Sequence, residues 1–172
     1  MTNVLLLGAG TIGRMIATLL TQSGDYRVRV GDTDTAALER LNSKLGIETM
    51  VVDAASESDL ATAMNGQTAV ISALTFSLNP RVARSALAAG ISYFDLTEDV
   101  ETTRVVRTLS GAARPGQIFA PQCGLAPGFV GIVANHLAKK FEQLDSLFLR
   151  VGALPEFPTN SLKYNLTWST DG

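Results

Sequence analysis

The stretch "NVLLLGAGTIGRMIATLL", Asn3 to Leu20, restricts the fold more than any other part of the chain. Val4 to Leu7 form a short continuous apolar run that Gly8 ends, the pattern of a strand buried on both faces of a parallel sheet. Ile12, Met15, Ile16, Leu19 and Leu20 then recur at three- and four-residue spacing, so a helix follows at once, and Gly24 stands where that helix would stop. A strand that passes straight into a helix through Gly8, Gly10 and Gly13 is the first half of a crossover, and a following strand is expected to lie parallel to the first.

The same alternation runs on. "YRVRVGD" reads as a second strand, "TDTAALERLNSKLG" as a helix ending at Gly46, "IETMVVD" as a third strand, "SESDLATAMNG" as a helix and "TAVISAL" as a fourth strand. A helix from Pro80 to Gly90, a strand in "ISYFDL", a helix across "VETTRVVRTLSGAA" and a strand in "QIFAP" complete six strands with helical crossovers. The expected fold class is therefore α/β, a doubly wound parallel sheet of the Rossmann type, with ligands at the carboxyl ends of the strands. "LFLRV" is strand-like, and the prolines and polar residues of "GALPEFPTNS" place a boundary near Leu154. The dinucleotide-binding domain is thus expected over 1–153, with 154–172 a linker and the first strand of a second, incomplete substrate and dimerisation domain.

Composition narrows the function. The 172 residues are 46% apolar and 17% charged with a formal net charge of −2, so one packed domain forms, and no excess of positive charge exists to bind nucleic acid or an anionic membrane. Val4 to Leu7 are too few for a membrane span, and no basic stretch precedes them as in a signal peptide. Cys123 has no partner for an internal disulfide and His136 has no companion at metal-ligand spacing, which points to no metal and a reducing, cytoplasmic setting.

The glycine loop is the most informative candidate site. In a dinucleotide fingerprint Gly8 makes the tight turn, Gly10 lets backbone approach a pyrophosphate, and Gly13 lets helix and strand pack closely, with Thr11 and Ile12 inside the loop. Asp32 ends the second strand about 20 residues further on, where an acid would accept hydrogen bonds from ribose hydroxyls. Only Thr33 and Asp34 follow it, without a cation for a 2′-phosphate, so NAD is favoured over NADP. Asp53, at the end of the third strand, borders the adenine or is simply solvated. Ser72 and Thr75, with Asn79, border the ribose and nicotinamide or belong to a plain loop with a helix cap. Asp95, Glu98 and Asp99 lie near the same edge; Asp95 is the candidate for proton handling, whereas helix capping suits the other two better. In "PQCGLAPGFVG", Cys123 is either near the nicotinamide or a small buried filler. Pro127 and Gly128 would begin a helix whose free N–H groups face a substrate carboxylate, with Gly124 opening that turn. His136, about two turns into that helix, stands far from the cleft.

Taken together, "GAGTIGR", "YFDLTED", "CGLAPGFV" and "VGALP" followed by "YNLTWSTDG" resemble the saccharopine dehydrogenase family, and most closely its lysine 6-dehydrogenase-like branch. The resemblance implies an NAD(P)-dependent oxidoreductase acting on a carbon–nitrogen bond of an amino acid. It also implies a second α+β domain that supplies much of the substrate pocket and the contacts of a homodimer. Family members are longer, so the chain is expected to be an amino-terminal portion that binds cofactor and turns over lysine or saccharopine poorly alone. A regulatory nucleotide-binding module needs the same glycine loop but neither the Gly124 to Gly128 turn nor the Thr-Trp-Ser tail, which favours the enzyme.

Overall fold

The structure, a computed structural model, describes residues 1–152 together with Phe157 and Ser161. Six strands alternate with helices: β1 (Thr2–Leu7), α1 (Thr11–Ser23), β2 (Tyr26–Asp32), α2 (Thr35–Leu45), β3 (Glu48–Val51), α3 (Glu57–Met64), β4 (Ala69–Ser72), α4 (Asn79–Ala89), β5 (Ser92–Asp95), α5 (Val100–Ser110), β6 (Phe119–Ala120) and α6 (Phe129–Ala138). All pairings are parallel, and the strand order is β3-β2-β1-β4-β5-β6. The sheet order reverses direction between β1 and β4, the crevice in which such sheets take their ligands.

Burial explains why β1 reads as an unbroken apolar run. Leu5 and Leu7 face a core built with Leu60 and Met64 of α3, Val82 and Ala86 of α4 and Val106 of α5. Leu6 faces the opposite core, formed with Ala17 of α1 and Leu38 and Leu41 of α2. Helices thus cover both faces, and alternate residues of one strand serve two cores. Gly24, Gly46 and Gly90 end α1, α2 and α4 in the left-handed conformation, which glycine adopts without strain.

Two expectations are corrected. The sixth strand is only Phe119–Ala120, because Pro121 has no N–H to continue a ladder, and side chains hold the preceding residues: the Gln117 amide donates to the Ile91 carbonyl at 3.0 Å and the Ile118 N–H to the Ser92 hydroxyl at 3.1 Å. The run 147–151 forms no strand and pairs with no edge among the described residues, and its side chains lie exposed. The boundary at 153/154 and the segment "LKYNLTWSTDG" lie outside the described residues. No helix among the described residues is long and apolar enough to cross a membrane.

Candidate nucleotide-binding site

The glycine loop lies at the β1/β4 switch, and each glycine meets a different surrounding. Gly8 has φ +104°, and a Cβ there would stand 2.8 Å from the Ala73 carbonyl oxygen at the end of the neighbouring strand. Gly13 packs α1 against the turn so closely that a Cβ would fall 1.9 Å from the Gly8 carbonyl oxygen. Gly10 has no atom within 4 Å of such a Cβ. It precedes α1 in extended conformation, no side chain caps the helix, and its first turn carries no acid. Thr11 and Ile12 begin that helix with exposed side chains. An open glycine before an uncapped, acid-free helix start fits a pyrophosphate, which brings its own acceptors and negative charge to the positive end of the helix.

Asp32 leaves the sheet beside this loop. Its Oδ2 accepts the Ala9 N–H at 2.6 Å and its Oδ1 the Asp34 N–H at 2.9 Å. The carboxylate therefore braces the glycine loop against the end of β2. Asp34 caps α2, accepting the Ala37 N–H at 3.0 Å. Asp53, exposed, accepts the Ala55 N–H at 2.8 Å and so shapes the turn after β3. Ser72 is buried and donates to Asn79 Oδ1 at 2.7 Å, so both polar groups are satisfied beneath the surface of the cleft. Thr75 is half-buried at the start of a short 3-10 turn, Phe76–Leu78, with its hydroxyl 3.3 Å from that of Ser77.

The last two strands end in a different arrangement. Asp95 is fully buried: Oδ1 accepts the Thr97 and Gln122 N–H groups at 3.0 and 3.1 Å, and Oδ2 accepts the Tyr93 hydroxyl at 2.8 Å. Burial, reinforced by the neighbouring Asp95, pushes the Tyr93 phenol far above its ordinary value. Cys123 follows, its N–H donating to the Asp95 carbonyl at 2.8 Å. The cysteine is exposed, which corrects the filler alternative. Its thiol donates to the Ala120 carbonyl at 3.2 Å, and partial desolvation, then the charge of Asp95, hold its pKa above the usual thiol value.

The turn at Gly124, Pro127 and Gly128 departs from expectation. The Phe129 N–H donates to the Gly124 carbonyl at 2.9 Å and the Val130 N–H to the Leu125 carbonyl at 3.0 Å. The first two N–H groups of α6 are thus taken by the turn itself and do not face a substrate carboxylate. Gly128, at φ +133°, allows this closeness, since a Cβ would lie 2.1 Å from the Gly124 carbonyl oxygen. His136 lies exposed in the last turn of α6, Asp99 caps α5 through the Thr102 N–H at 2.6 Å, and Glu98 is exposed in the loop before it. Tyr93 was not among the expected site residues, although the period of two in a strand puts it on the same face as Asp95.

Comparison with known proteins bears on this arrangement. Residues 4–120 match the family model described as the saccharopine dehydrogenase NADP binding domain. The α-aminoadipic semialdehyde synthase of rat mitochondria is 26% identical, over 98% of this chain and 19% of that protein. The NADP(+), L-glutamate-forming saccharopine dehydrogenase of Saccharomyces cerevisiae is 25% identical over 99% of this chain and 39% of its own. A solved structure of the L-Glu-forming yeast enzyme superposes with a TM-score of 0.75 at 21% identity, again over 99% of this chain and 39% of that one, and shares the fold. The chain thus spans between a fifth and two fifths of these relatives' length. The preference for NAD over NADP is overturned: the matched domain binds NADP, and the yeast relative is named for NADP(+). The expectation rested on Asp32 as a ribose-binding acid, but both of its oxygens are engaged by the Ala9 and Asp34 N–H groups. Its place at the end of β2 is accounted for by the loop it braces and does not by itself identify a ribose partner.

Proposed function

The chain belongs to the saccharopine dehydrogenase NADP binding domain family, and from that premise we propose that it holds NADP(H) for an oxidoreductase acting on the C–N bond of an amino acid of the saccharopine or lysine type. The observation that carries this is the open Gly10 before the uncapped start of α1, at the β1/β4 switch of the sheet. The pyrophosphate lies over Gly10, Thr11 and Ile12, Gly8 and Gly13 hold the turn that receives it, and Asp32 keeps that turn in place. The adenosine end extends past β2 towards Asp53, and the nicotinamide end extends past β4 towards Thr75 and the loop after β6. When bound, the nicotinamide supplies the carbon that exchanges hydride with the substrate carbon bearing nitrogen.

The chain's own residues bind and orient. The loop from Pro121 to Gly128 borders the substrate side, presenting Cys123 and the Gly124 to Gly128 turn. Carboxylate recognition through α6 would use N–H groups beyond the two that the turn already engages. The test is an equilibrium titration with NADPH beside an assay of saccharopine- or lysine-dependent NADPH formation at 340 nm. Saturable NADPH binding supports the proposal, and a folded chain without it refutes the proposal.

A further inference from the structure

Beyond the ladder that ends at Phe94↔Ala120, nothing in the sheet itself joins β5 to the loop after β6. Four hydrogen bonds converge on one residue there, two of them from the loop after β6. The Asp95 carboxylate receives Tyr93 from its own strand, Thr97 from the loop towards α5 and Gln122 from the loop towards α6, while its carbonyl receives Cys123. Gln122 is held at φ +65°, a left-handed conformation that disfavours side chains other than glycine and that persists only where surrounding contacts fix it. An ionised carboxylate is acceptor-only, which suits three converging donors.

We propose that Asp95 is a positioning residue of the strand-end cleft: its buried carboxylate latches the loop after β6 to the end of β5 and so fixes where Cys123 and the Gly124 to Gly128 turn stand beside the cofactor. This deepens the proposed function and rests on it for the last clause only. Asparagine keeps an oxygen for Thr97 and Gln122 but removes the negative charge; alanine removes the anchors of Thr97 and Gln122 and leaves only the Cys123 N–H on the residue 95 carbonyl. Tyr93→Phe removes one donor and leaves the ring stacked on Phe119, 5.9 Å between centroids.

Cys123 is the sole cysteine of the chain and reports on the loop directly. Among the described residues, Asp95 is the charge that bears on its thiol, while Tyr93 of the same strand is itself raised in part by Cys123. The experiment is alkylation of the folded chain by iodoacetamide across pH, read by intact mass, with and without NADPH. In Asp95→Asn the alkylation midpoint should move to lower pH, since the charge that opposes the thiolate is gone. In Asp95→Ala the limiting rate should rise by at least about threefold, as Gln122 loses its anchor and the loop loosens around the remaining Cys123 bond. Should alanine prevent folding, Asp95→Asn and Tyr93→Phe decide, the latter with an expected rise of about threefold. A merely structural role would lower unfolding temperature and leave the folded-state limiting rate at its original value, which would overturn the latch, whereas the midpoint shift reports only the lost charge. NADPH should slow alkylation of the unaltered chain several-fold, and binding of NADPH without protection would also overturn it. Failure of NADPH to bind at all refutes the proposed function, while the limiting rate still decides whether the latch exists.

Discussion

Adding one methyl group at Gly13 and the same group at Gly10 should have opposite consequences, three residues apart. At Gly13 the new Cβ starts 1.9 Å from the Gly8 carbonyl oxygen, while real Cβ contacts essentially never fall under 3.0 Å, so at least 1.1 Å must open between α1 and the turn. The obstacle is backbone and has no rotamer to change. Displacing α1 loosens Ala17, Ile16 and Leu20 from the core they share with Leu6 and Val30. Overpacking of this kind costs about 1–3 kcal/mol, and a backbone clash belongs at the upper end; the better helix propensity of alanine offsets up to about 1 kcal/mol. A net loss of about 2 kcal/mol corresponds to a fall in Tm of roughly 4–8 °C for a chain of this size. Gly10→Ala, with φ −68° and open space, should leave Tm unchanged. It should instead weaken NADPH binding at least about tenfold, or about 1.4 kcal/mol, because the methyl group stands where the pyrophosphate approaches. Circular dichroism melts and NADPH fluorescence titrations of both variants make the comparison. A Gly13→Ala chain that melts at the original temperature, or a Gly10→Ala chain with undiminished affinity, would refute the reasoning.

Three further outcomes are expected. Ser72→Ala leaves Asn79 buried without its donor, which should lower stability by about 1–3 kcal/mol in denaturant unfolding and leave NADPH affinity unaltered. Gly128→Ala forces a side chain into φ +133° and against the Gly124 carbonyl, so the turn before α6 should open and Cys123 alkylation accelerate, with the NADPH site retained. Asp99 has its pKa lowered below the ordinary 3.8, chiefly by the Thr102 backbone N–H. Its contribution is therefore full above the unfolded value and lost as pH falls through the folded one, so Asp99→Asn should show a smaller fall in Tm between about pH 5 and about pH 3 than the unaltered chain.

What the sequence reveals here is what local chemistry decides. The βα alternation, the glycine stops at Gly24, Gly46 and Gly90 and the close packing of Gly13 on the Gly8 carbonyl depend on neighbours a few residues away, and the structure has them as read, whereas the neighbour of Gly8, Ala73, comes from a distant strand. The brace formed by Asp32 was not legible, because its partner Ala9 lies in the loop after another strand, and without that bond the acid reads only as a ribose ligand. The hub at Asp95 joins β5 to two loops, one of them contributed by residues well beyond it in the chain. The start of α6 misled for a related reason: the Gly124 and Leu125 carbonyls fold back onto N–H groups that look free when only the order Pro127, Gly128 is considered. The strand-like run 147–151 forms no strand among the described residues, since an apolar run needs an edge to pair with.

Equilibrium titration of the folded chain with NADPH, by calorimetry, tests the cofactor site most directly. One-to-one saturable binding at least as tight as that of NADH measured alongside, and weakened at least about tenfold in Gly10→Ala, is the expected result. No saturation by concentrations on the order of 1 mM, or equal NADPH affinity with and without the methyl group at Gly10, would contradict it.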